Sequence, residues 1–117
     1  MLVWNKELWI IDHGASLYFH FSPENWEKKA EAPFTQIKNH VLLPFASRLE
    51  EADEHFQTVL SAEKLGHIVS LIPSDWLSDN FPNAEQAREM YFRFLQIRLA
   101  SSKNFIKEAQ HARAALI

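Results

Sequence analysis

The chain has no cysteine and only two glycines, and no run of apolar residues long enough to span a bilayer. Without cysteine there is no disulfide, no thiolate nucleophile and no Cys-ligated zinc, and the composition suits a reducing compartment. An excess of positive charge is missing as well: 12 Lys and Arg stand against 15 Asp and Glu, for a formal net charge of -3. The two signs are interspersed, so the basic footprint of a nucleic-acid binder is absent and no nucleic-acid partner is expected. Residues 1–21 include Lys6, Glu7, Asp12 and two histidines, which fits neither the apolar region of a signal peptide nor a membrane span of about twenty residues. The expectation is a cytoplasmic protein with no membrane partner. Internal repeats and low-complexity tracts are lacking too.

What is present is core material. Apolar residues make up 47% of the 117, with four Trp and nine Phe, enough for a single folded domain over 1–117 and too much for a disordered chain. Leu2-Val3-Trp4 and Leu8-Trp9-Ile10-Ile11 flank Asn5-Lys6, and the β-prone side chains around a turn-tolerant Asn predict a β-hairpin over about residues 2–12. The second run does not alternate strictly, which predicts a strand covered on both faces. A short apolar segment, Ala15 to Phe21, follows. Pro23, Pro33 and Pro44 leave room only for a short helix, Glu24 to Ala32 around Trp26.

From Ser47 onward the periodicity becomes helical. Ser47 with Glu50 reads as a capping box ahead of Leu49, Ala52, Phe56 and Leu60, and Ser61 as the cap of a helix weakened at Gly66 and stopped by Pro73. Trp76 is expected to anchor a single turn. Asn83 caps the longest helix, to about Leu99, with an apolar stripe of Ala87, Met90, Tyr91, Phe94 and Leu95 and the stem of Arg98. A last helix starts at Ser101 or Ser102 and runs to Leu116. The fold class expected is mainly α with a small N-terminal β-hairpin (α+β): hairpin and Asp-His-Gly motif over 1–21, helical body over 47–117.

The cluster with a specific shape is Leu8-Trp9-Ile10-Ile11-Asp12-His13-Gly14. A carboxylate at the end of a strand, then one residue and a glycine, is how protein kinases hold magnesium on ATP phosphates, although Asp-x-Gly is also an ordinary turn. The stretch from Met1 to His20, with its hairpin ending in Ile-Asp-His-Gly, resembles the HipA-like bacterial serine/threonine kinases. A looser likeness to their helical C-terminal lobe continues through Val41-Leu42-Leu43-Pro44, Leu49 to Asp53, Ile72-Pro73 with Trp76-Leu77, and Arg88 to Arg98.

The resemblance implies that Asp12 is the metal-binding aspartate and Gly14 the hinge glycine of a nucleotide site, with Mg2+ and ATP as the cofactors if that role is kept. It also implies a truncated lobe. The glycine-rich loop and ATP-anchoring Lys are absent, and the catalytic-loop Asp and Asn would lie just before Met1. Phosphoryl transfer rests on positioning and charge neutralisation, so the isolated chain is expected to be catalytically inactive. Its expected partners are a missing kinase half or a second copy, with a homo-oligomer formed through the apolar hairpin. The alternative is a non-catalytic helical module for protein interaction or self-association.

Two other chemistries are weaker. A transition-metal site from Asp12, His13 and His20 with His40, His55 or His67 lacks helical His-x-x-x-His spacing, and Ser16 has no nucleophile elbow around it.

Overall fold

A computed structural model describes residues 1–11, 17, 24–77 and 81–116. The chain is mainly helical with a small two-stranded antiparallel sheet. Strands β1 (Leu2–Trp4) and β2 (Glu7–Trp9) pair in the register Leu2 with Trp9, Val3 with Leu8 and Trp4 with Glu7. Asn5 and Lys6 between them both take positive φ, 51° and 66°, which is the backbone twist a two-residue hairpin requires. The second strand was expected as far as Ile11, but the ladder ends at Trp9: β1 begins at Leu2, and beyond it the Met1 ammonium reaches across, donating to the Ile11 carbonyl at 3.4 Å. The expectation of cover on both faces also fails within one chain, because Glu7, Leu8 and Trp9 are all exposed.

Helix α1 (Trp26–Glu31) follows Asn25, whose φ of 56° is one that Asn tolerates. Single 3-10 turns occupy Thr35–Asn39 and Leu43–Phe45. Helix α2 (Leu49–Val59) starts one residue later than a Ser47 cap allows. Arg48 is the N-cap residue, and Ser47 is held in the preceding turn by its amide on the Phe45 carbonyl. Glu51, not Glu50, therefore sits at the third helical position, where it pairs with the Arg48 guanidinium. Helix α3 (Ala62–Ser70) has the expected cap, Ser61 Oγ accepting from the Lys64 amide at 3.2 Å. In α4 (Ala84–Ala100) Asn83 Oδ1 accepts from the Gln86 amide at 2.9 Å. Ser101 separates α4 from α5 (Ser102–Ala114).

The core lies along α4. Helices α1 and α3 pack on it, and Ala30, Val69, Leu77, Ala87, Tyr91 and Phe94 form one buried cluster, with Leu17 packed against it from the N-terminal side. Trp76 does not anchor its turn: it is 73% exposed, and Leu77, 2% exposed, is the residue that the turn delivers to the core. Arg88 fixes that turn to α4, donating to the Ile72 carbonyl at 2.8 Å and to Ser74 Oγ at 2.9 Å. On the other side α5 packs against α2 and the two proline-region turns.

Gly66, in the middle of α3, has no positive φ, and a Cβ there would meet only Phe92 Cε2 at 3.8 Å, an ordinary contact. Gly66→Ala should therefore stabilise the chain by about 0.5–1 kcal/mol through helix propensity and a less flexible unfolded chain. A rise of a few degrees in the thermal midpoint, followed by circular dichroism, is the expected result; a fall would mean that the α3–α4 contact has no room for a methyl group.

Candidate functional site

The hairpin delivers the chain at Ile11 toward Asp12, and the chain returns to the core at Leu17. Asp12, His13 and Gly14, the residues that the sequence singled out for magnesium and nucleotide, lie outside the described residues, as do Ser16 and His20. What the structure does place is their approach. Paired residues of an antiparallel ladder share a face, so Leu2, Trp4, Glu7 and Trp9 stand on one side and Val3 and Leu8 on the other. Trp4 is 64% exposed, Trp9 51% and Ile10 63%, and Lys6 stands at the tip.

A second uncovered apolar surface lies across the molecule's helices. Helices α2, α4 and α5 leave between them a groove of about 390 Å³, walled by Leu49, Phe56, Leu60, Leu95, Phe105 and Ile106. Gln57 holds α2 at this distance: its Nε2 donates to the Leu99 carbonyl at 2.7 Å and to buried Ser102 Oγ at 2.9 Å, tying α2 to the α4–α5 junction. Asp53 stands on the groove wall, with Glu50 and Glu54 in an adjoining cleft that it also lines. Sequence periodicity gave the α2 stripe and a last helix through Phe105 and Ile106, but not the space between them. The surplus of large side chains on both stripes is the signal that was there to be found.

Among the described residues, no three or more His, Asp or Glu side chains gather as metal ligands. His40 serves a turn, its Nδ1 accepting the Leu42 amide at 3.2 Å, and His55 lies edge-on to Phe56. The perturbed ionisations have structural causes. The Arg48 guanidinium holds the Glu51 carboxyl below its ordinary range, and burial pushes the Tyr91 phenol above its own. No family model, no curated protein and no solved structure matches this chain.

The extent of uncovered surface is large. The chain exposes 8664 Å², against about 6,600 Å² expected of a compact monomer of this mass. Its radius of gyration is 15.7 Å, where about 13 Å is typical for the length. Among the described residues no helix is long and apolar enough to cross a membrane.

Proposed function

We propose that the chain is the C-terminal-lobe part of a HipA-like serine/threonine kinase, acting in the cytoplasm, with Asp12 and Gly14 on the magnesium side of a nucleotide site, and that it does not catalyse phosphoryl transfer by itself. The observation that carries the reading is the hairpin. Its strands pair from Leu2 to Trp9, and among the described residues its tryptophan face stays exposed, as expected of a surface that another kinase half overlies. The helical body that follows, built on α4, fits the same reading. Asp12 supplies hard oxygen to a divalent cation; the base, the Lys and the glycine-rich loop that complete the chemistry are not among these 117 residues.

Two measurements test this. ATP turnover with magnesium should not exceed a no-protein control. Millimolar Mg-ATP should raise the thermal midpoint slightly, and the rise should vanish in Asp12→Ala. Turnover that Asp12→Ala abolishes would overturn the inactivity, and a midpoint indifferent to Mg-ATP would remove the nucleotide role.

The second reading is a self-association module. It is favoured by a different observation: the described residues leave apolar surface uncovered at the hairpin and in the groove, and the total surface is some 2,000 Å² above that of a compact monomer of this mass.

A further inference from the structure

We propose that the groove between α2, α4 and α5 is a binding site for a neutral, ring-bearing apolar molecule with the bulk of roughly two to three benzene rings. The site needs neither the nucleotide role of Asp12 nor self-association.

The groove is held open by a hydrogen-bonded frame. Helices α2 and α5 run antiparallel and are tied at both ends: Gln110 Nε2 donates to Glu50 Oε1 at 3.0 Å, and Gln57 Nε2 donates to Ser102 Oγ at 2.9 Å. From Glu50 to Gln57 is about two helical turns, so the ties share a face of α2 and stand about 10 Å apart. Between them the two helices do not close. No residue of α2 is buried, and Phe56 on the groove wall is 51% exposed. Collapse of the gap would break the ties, so the cavity is present before any ligand arrives.

The polar groups along the groove are largely engaged elsewhere. Ser102 Oγ is taken by Gln57, and the Arg98 guanidinium donates to the Ala30 and Ala32 carbonyls. Water held there finds fewer partners than the about two to four that an ordered water uses, and its displacement by an apolar group is favourable.

Size and charge select the occupant. A protein partner needs roughly 1,000 Å² of contact, far more than a slot about 10 Å long presents. The volume of about 390 Å³ lies within the range of small-molecule sites, and an apolar cavity of about 150 Å³ already takes a benzene. The groove and the cleft beside it carry Glu50, Asp53 and Glu54 against Arg98, Lys103 and Lys107, three charges of each sign. No net field therefore draws a charged head group, and the apolar walls penalise one. Phe56 and Phe105 supply ring faces and edges for an aromatic guest.

Fluorescence titration of the full chain with N-phenyl-1-naphthylamine, an uncharged naphthalene probe, tests the site. Emission should shift to the blue and saturate at one probe per chain. Ala52→Trp, which brings an indole into the groove from an exposed position of α2, should raise the dissociation constant at least about tenfold while the helical circular dichroism is kept. Trp4→Ala combined with Trp9→Ala should leave the constant unchanged, which separates the groove from the exposed hairpin. 1-Anilinonaphthalene-8-sulfonate, the same ring system carrying a sulfonate, should bind about tenfold more weakly. Binding that survives Ala52→Trp, or that the hairpin variant abolishes, would overturn the site. Equal affinity for the sulfonate would overturn the neutral class of ligand. Should Ala52→Trp fail to fold, Phe56→Glu, at its half-exposed wall position, must show the same loss, and unchanged binding there would overturn the site as well.

Discussion

Phe94→Ala should lower the thermal midpoint by about 10–20 °C or abolish the cooperative transition altogether. Phe94 is 3% exposed and lies in the single buried cluster that joins α1, α3 and α4, between Tyr91 and the residues that α1 and α3 bring to it. Truncating a buried phenylalanine costs about 3–5 kcal/mol, part of it lost transfer energy and part the cavity that the neighbours fail to fill. Native domains have only about 5–15 kcal/mol in total. A chain that leaves two apolar surfaces open has buried less than its length allows, so its reserve belongs at the low end. Trp76→Ala is the companion measurement. The sequence points to Trp76 as an anchor, but with its ring 73% exposed the change should stay within about 0.5 kcal/mol. Urea denaturation of both variants separates the cases: a Phe94→Ala cost under about 2 kcal/mol, or a Trp76→Ala cost equal to it, would mean that the cluster is not the core.

That contrast marks the boundary of what the sequence makes legible. Ser61 and Asn83 cap the helices they were expected to cap, because a cap needs only its own next three residues to satisfy an amide. Ser47 had the same signature and lost the role to Arg48, since the turn through Phe45 sets where α2 can begin, and a capping-box pattern does not contain that turn. The hairpin was legible from its β-prone runs and from Asn5. That it would stand uncovered was an expectation of the family resemblance and not of residue patterning, which says which sides are apolar and not whether anything lies across them. The groove follows the same rule: the α2 and α5 stripes are plain in the sequence, but the distance between them depends on Gln57 bridging to Leu99 and Ser102, residues over forty positions away. Asp12 and Gly14, on which the kinase-like reading depends, lie outside the described residues, so that reading is carried by the motif and by the hairpin leading to it.

Arg98 shows what a long-range polar contact adds that periodicity misses, and its removal should be the second large effect. By spacing it belongs to the apolar stripe of α4 as a stem. In the folded chain its Nη1 donates to the carbonyls of Ala30 and Ala32, the first at 3.2 Å, and the guanidinium lies 4.4 Å from the centre of the Phe105 ring. One side chain thereby joins the end of α1, the last turn of α4 and the first turn of α5. Ala30 is fully buried, so its carbonyl has little access to water once the guanidinium is gone. Losing charge-assisted bonds to two carbonyls together with the cation–π contact should cost about 2–4 kcal/mol in Arg98→Ala. Arg98→Met keeps the stem and removes the donors; it should recover only the packing share, and Arg98→Lys should fall short of wild type because one ammonium cannot bond both carbonyls and stack on Phe105 together. Helix α1, only six residues long, has no side-chain cap, and its further ties include Asn104 Nδ2 donating to the Glu31 carbonyl at 2.8 Å and Trp26 beneath Arg93 at 5.7 Å. It should therefore be the element that loosens first, with faster amide exchange in α1 than in α4 of Arg98→Ala. Equal exchange in the two helices, or Arg98→Met within about 0.5 kcal/mol of wild type, would show that the fold closes on α1 without this residue.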